Sequence, residues 1–183
     1  MRHPTSGLAS YYDSGDAIAF LREQHREIDR LLALLARTSF ATARASLVAE
    51  VGDLLAVHLT LEERVFYPGL FQADQGNATD RADAKAPGAV ILAVEDHREL
   101  KHLLAELLDA DPASVDFDVA TRRLRAATEA HHAAEERLFP RLRRRLSRAR
   151  LRRLEYEMRV LEFQMRTDST PRRLVAEDAT TAA

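Results

Sequence analysis

The 183-residue chain contains no cysteine and no tryptophan. Without thiols it cannot form disulfides, thiolate zinc sites, iron–sulfur clusters or a cysteine nucleophile. Any metal must then be held by imidazole, carboxylate or phenolate. Glycine and proline number only 6 each, and the excess of Ala, Leu, Arg and Glu favours helix nearly throughout. The formal net charge of −2 gives no general attraction for nucleic acid or for a membrane surface. No apolar run reaches membrane-spanning length, and the opening MRHPTSGLASYYDSGD lacks the apolar centre of a secretion leader. A cytoplasmic protein is expected.

At this length a single domain with one substantial core is expected, with a flexible start over 1–13 and a mobile tail over 167–183. Between them, helical periodicity recurs five times. The first segment opens at DSGD, where Asp13 or Ser14 could cap a helix, and runs Ile18, Leu21, His25, Ile28, Leu32, Leu35. The second runs Leu47, Val51, Leu54, His58, Leu61, Val65 and is expected to stop near Pro68-Gly69. The third starts near Pro87 and runs Val90, Ala93, His97, Leu100, Leu104, Leu107. The fourth runs Phe117, Ala120, Leu124, Ala127, His131, Ala134, Leu138, and a fifth after Ser147 runs Leu151, Leu154, Met158, Leu161, Met165. Residues 72–86 are polar, carry no stripe and read as a loop. The fold class expected is all-α, a four-helix bundle over 14–166 with an additional C-terminal helix.

Four of these seams each contain one histidine, and the chain repeats itself around them. VHLTLEERVFYP (57–68) resembles AHHAAEERLFP (130–140), and REQHREIDRLL (22–32) resembles VEDHRELKHLL (94–104). The doubled unit is a helix pair. On a helix, residues four apart share a face, so His58 with Glu62 and His131 with Glu135 can each address one point in the core. Glu63 and Glu136 are turned about 100° away and read as solvent-facing. A buried carboxylate costs several kcal/mol unless it is paired or binds a metal, roughly speaking, and no Lys or Arg lies in these four seams.

Four imidazoles and two carboxylates suit iron, manganese or zinc, and better two ions than one. With both carboxylates bridging and an oxo or hydroxo bridge, about ten of roughly twelve positions around two six-coordinate ions would be filled. The centre would remain open to a small molecule. His102 and His132 lie off the seams and read as surface or rim residues, Tyr67 and Tyr156 also fall off the seams, and His3 lies in the flexible start. The arginine-rich run RLRRRLSRARLRR (141–153) reads as a solvated face, with Arg153 and Glu157 paired one turn apart.

The order His25, HLTLE (58–62), His97, HHAAE (131–135) resembles the H…HxxxE…H…HxxxE signature of hemerythrin-like, or HHE cation-binding, domains. The resemblance implies an up-down-up-down bundle around an oxo- or hydroxo-bridged di-iron centre, with His25, His58, His97 and His131 as ligands and Glu62 and Glu135 as bridges. Manganese and zinc fit the family less well. Relatives bind or react with dioxygen, hydrogen peroxide or nitric oxide, or sense iron and oxygen. Oxygen carriers of the family have a second histidine four residues on in the third helix, where this chain has Lys101, so redox turnover such as catalase-like peroxide disproportionation is expected over reversible oxygen carriage. The absence of cysteine separates the chain from the iron–sulfur repair relatives. An iron- or oxygen-sensing module without turnover is the alternative, and a monomer or homodimer is expected.

Overall fold

The computed structural model describes residues 15–74, 85–168 and 170–173; the expectations for residues 1–14, most of the 72–86 loop and the end of the tail lie outside these. Helix α1 spans Ala17–Leu35 and α2 spans Ala41–Leu61. A π-helical turn, Glu62–Phe66, joins α2 without a break to α3, Tyr67–Asp74. Then follow α4 (Lys85–Asp109), α5 (Val115–Arg145) and α6 (Arg148–Asp168). No described residue lies in a strand. Nor is any described helix long and apolar enough to cross a membrane.

Helices α1, α2, α4 and α5 pack in cyclic order, α1 on α2, α2 on α4, α4 on α5 and α5 on α1, which makes the up-down-up-down four-helix bundle. The cap of α1 is Asp16 rather than either residue of the earlier pair: its Oδ1 accepts from the Ala19 amide at 2.9 Å. Ser114 caps α5 through Phe117 N at 3.1 Å, and Asp116 and Asp118 at its start oppose Arg143, Arg144 and Arg145 at its end, as the helix dipole favours.

Helix α6 packs against α1, α2 and the π turn. This is part of why α2 is buried beyond the expected seam: inaccessible Val57 joins Leu154 and Met158 of α6 in one cluster, while Ala56 and Leu59 are buried within the bundle. Leu154 of α6 lies over Gly69, where an added Cβ would stand 2.3 Å from Leu154 Cδ2. Arg150 donates to the Gly69 carbonyl at 3.1 Å, and Arg153 pairs with Glu157 at 2.8 Å. Residues 170–173, within the stretch expected to be mobile, are held to α2 where Arg172 N donates to Asp53 Oδ1 at 3.1 Å.

Among the described residues, the buried apolar side chains form two clusters. One holds Ile28, Leu32, Leu35, Leu55, Leu104, Phe117 and Leu124; the other holds Ile18, Leu21, Leu61, Phe66, Phe139, Leu154 and Met158. Each fully buried Leu, Ile or Phe contributes about 1.5–3 kcal/mol. Between the clusters lies a polar layer: His25, His58, Glu62, His97, His131, His132 and Glu135, all buried.

Candidate metal centre

All six residues expected as ligands meet in this layer. His25, His58, Glu62 and Glu135 bring one ligand atom each within 4.8 Å of one another, and Glu62, His97 and His131 form a second such group. Glu62 belongs to both. Its Oε2 lies 3.2 Å from His97 Nε2 and 3.6 Å from His131 Nε2, while Oε1 lies 3.5 Å from His58 Nε2. Glu135 Oε2 lies 3.1 Å from His25 Nε2 and 3.6 Å from His131 Nε2.

Every one of these imidazoles turns Nε2 inward and Nδ1 outward. His58 Nδ1 is 3.1 Å from Gln24 Oε1, and His97 Nδ1 is 3.0 Å from Glu63 Oε1. His25 Nδ1 lies 3.7 Å from Glu136 Oε1, and His131 Nδ1 lies 3.8 Å from Asp96 Oδ2. Hydrogen-bonded outer acceptors such as Gln24 and Glu63 fix ring orientation and tautomer for metal-binding histidines, whereas Nδ1 of His25 and of His131 has no hydrogen-bond partner.

Glu63 is therefore not the solvent-facing residue the helical wheel suggested, while Glu136 keeps 40% of its side chain exposed. Each crosses to the lone histidine of the other half of the repeat and is held there by a cation. Lys101 Nζ donates to Glu63 Oε2 at 2.8 Å, and Arg22 grips Glu136 with Nε at 2.9 Å and Nη2 at 2.8 Å. Lys101, at the place of the carriers' extra histidine, supports an outer glutamate instead.

Tyr67 is a second correction. A strict α-helix would place it off the seam, 140° round from Glu62. The π turn changes that: the Tyr67 amide bonds to the Glu62 carbonyl, five residues back, which returns Tyr67 to the face of Glu62. Its hydroxyl donates to Glu135 Oε1 at 2.8 Å and lies 3.4 Å from both Glu62 Oε2 and His97 Nε2. The signal was in the repeat, because EERVFYP holds one residue more than EERLFP. The extra residue is the tyrosine, and the π turn absorbs it. Helix continues past Pro68, as it does past Pro140 in α5.

His132 is the third. It is 3% exposed, because the buried face of α5 runs Leu124, Thr128, His131, His132, Glu135 and Phe139 rather than through Ala127, Ala134 and Leu138. Its partner in the repeat, Leu59, is also fully buried. His102 stays at the rim, 63% exposed, beside Glu106. Tyr156 is exposed and away from the layer.

Burial, then the neighbouring imidazoles, hold His25 well below the usual histidine range. Burial likewise brings His58 down to about 3, against the opposing pull of Glu62. Both rings are therefore neutral, the form that binds metals. Burial works against the charge of Glu62, but His58, His131 and His97 outweigh it and keep the carboxyl well below its ordinary value. Glu135 goes the other way, pushed up by burial and by the charge of Glu62. Burial and the two carboxylates also push the Tyr67 hydroxyl up, so it stays a donor.

The layer fits a cation on its own chemistry. Among its buried atoms, Nε2 of His25, His58 and His131, Oε1 of Glu62 and Oε2 of Glu135 have no hydrogen-bond partner. Orphaned buried polar atoms are costly, about 1–3 kcal/mol each. Here they all face one small volume.

Compared with known families, the chain matches the Hemerythrin HHE cation binding domain over residues 16–86 and 90–181. No curated protein sequence matches it. Among solved structures it resembles a Hemerythrin HHE cation binding domain-containing protein from Mycobacterium kansasii, with 22% identity and a TM-score of 0.66, over 86% of this chain and 98% of that one. At that identity the likeness concerns the fold.

Proposed function

Since the chain belongs to the hemerythrin HHE cation-binding domain family, we propose that the polar layer holds two iron ions and turns over a small oxidant, hydrogen peroxide foremost, with dioxygen and nitric oxide as further ligands. The observation that carries this reading is the set of orphaned Nε2 and carboxylate oxygens converging between two apolar clusters. His25 and His58 would hold one ion and His97 and His131 the other, with Glu62 common to both groups and Glu135, 3.6 Å from His131 Nε2, shared as well. Imidazole and carboxylate donors without thiolate suit iron or manganese.

Bound iron would supply one-electron steps between its two oxidation states. The protein contributes position and protons. Gln24 and Glu63 set the ring planes of His58 and His97. Tyr67 donates its hydroxyl proton to Glu135 Oε1 across 2.8 Å between the oxygens, where it can steady a charge shared between carboxylate and substrate. Phe66, Phe139, Leu21 and Leu61, all inaccessible or nearly so, exclude bulk water and strengthen every interaction inside.

The test is elemental analysis with an absorption spectrum, followed by oxygen evolution from peroxide. About two irons per chain, charge-transfer bands and oxygen release are expected. A protein purified from iron-replete cells without iron or manganese overturns the reading. Iron binding without turnover, coupled to a change of oligomeric state, would favour a sensing module. The face of α6 bearing exposed Tyr156, Val160 and Phe163 is the feature that supports this second reading.

A further inference from the structure

His132 has no place in the six-residue ligand set, yet it is built like a member of the centre. Its Nδ1 lies 2.9 Å from Asp29 Oδ1. A carboxylate only accepts, so the ring proton sits on Nδ1 and the Nε2 lone pair is left free. That Nε2 is buried and has no hydrogen-bond partner. One nitrogen of His132 lies within 4.8 Å of a nitrogen of His25 and of one of His58.

The ring geometry separates two roles. His132 stacks on His25 with centroids 4.0 Å apart and planes 15° apart. An ion about 2.1 Å from an imidazole nitrogen lies in that ring's plane. The planes of rings stacked this flat meet only far from either ring, so one ion cannot lie in both at bonding distance. A molecule seated beside His25 and within reach of His132 meets the second lone pair instead.

The geometry points to His132 as a contact for the small molecule itself: its Nε2 accepts a hydrogen bond from a protonated oxygen of water, hydroxide or hydrogen peroxide lodged beside His25. This inference rests on the metal reading above. It assigns a preference as well as a contact, because a lone pair favours ligands that carry a proton over bare anions. Asp29, itself 41% exposed, is then a positioning residue that fixes the tautomer.

The experiment uses the iron-loaded protein and its His132→Leu and Asp29→Asn variants. Azide, an anion with no proton to give, is titrated against the oxidised form and followed by its absorption band, with iron content and the number of coordinated imidazoles measured alongside. Two irons and four imidazoles should remain, and azide should bind about three- to tenfold tighter in His132→Leu, the worth of one lost hydrogen bond to the competing water. Asp29→Asn, which keeps the ring in place, should shift the same way by less. Unchanged azide affinity in both variants overturns the contact. Five imidazoles in the parent protein, with one lost in His132→Leu, also overturns it and makes His132 a metal donor. A parent protein without iron defeats the metal reading instead, so the two failures are distinguishable.

Discussion

Glu63 Oε1 lies 3.0 Å from Nδ1 of His97, so a residue from the first half of the repeat orients a histidine of the second. Losing such an outer carboxylate typically weakens metal binding about 10- to 100-fold. Glu63→Gln should therefore lower iron affinity by that order, measured by competition with a chelator, while the helical circular dichroism is unchanged. Lys101→Met, which frees Glu63 to swing to solvent, should act in the same direction by less. Equal affinities in all three proteins would show that His97 is held by packing alone.

Glu135 is the less comfortable of the two buried carboxylates, raised by burial and by Glu62. Glu135→Gln keeps the shape and removes the charge. The metal-free variant should be as stable as the metal-free parent or more so, within about 1 kcal/mol in urea unfolding. With iron present the order should reverse, because the variant loses a shared ligand and the stabilisation that binding adds. A variant that binds two irons normally would remove Glu135 from the centre.

Tyr67→Phe deletes the hydroxyl that donates to Glu135 at 2.8 Å. In the metal-free protein a loss of about 1–2 kcal/mol is expected. Deleting residue 67 altogether restores the spacing of the other copy, so the π turn should become α-helix. The deletion variant should fold with unchanged helical content. Collapse of the fold would mean that the π turn is needed for more than carrying the tyrosine.

Gly69→Ala tests how α6 is docked. The added methyl would stand 2.3 Å from Leu154 Cδ2, and overpacking of this kind costs about 1–3 kcal/mol. Thermal unfolding should shift down accordingly. Leu154→Ala costs stability by itself, but the double variant should lose less than the sum of the two single losses.

The bundle was legible because four seams recur at helical spacing, and the six central residues were legible because His58/Glu62 and His131/Glu135 are one turn apart. Sequence spacing sees one helix at a time. Glu63 and Glu136 find their histidines on other helices, so a wheel could only turn them toward solvent. Tyr67 was misplaced by assuming 3.6 residues per turn across a stretch that is π-helical. His132 was missed by following the alanines of α5, although its repeat partner Leu59 is an apolar residue at an equivalent depth. In both of these the doubled sequence held the cue, as an extra letter and as a buried counterpart.

The one-residue turn before Tyr67 also takes away an equivalence. Two identical hairpins would surround two identical positions, and a small molecule would have no reason to choose between them. With the insertion, a phenol hydroxyl lies 3.4 Å from His97 Nε2 on one side, while the other side has His25 under the ring of His132. The polar layer therefore has two unlike sides. This polarity traces to two differences between the copies, the inserted Tyr67 and a histidine, His132, where the other copy has Leu59.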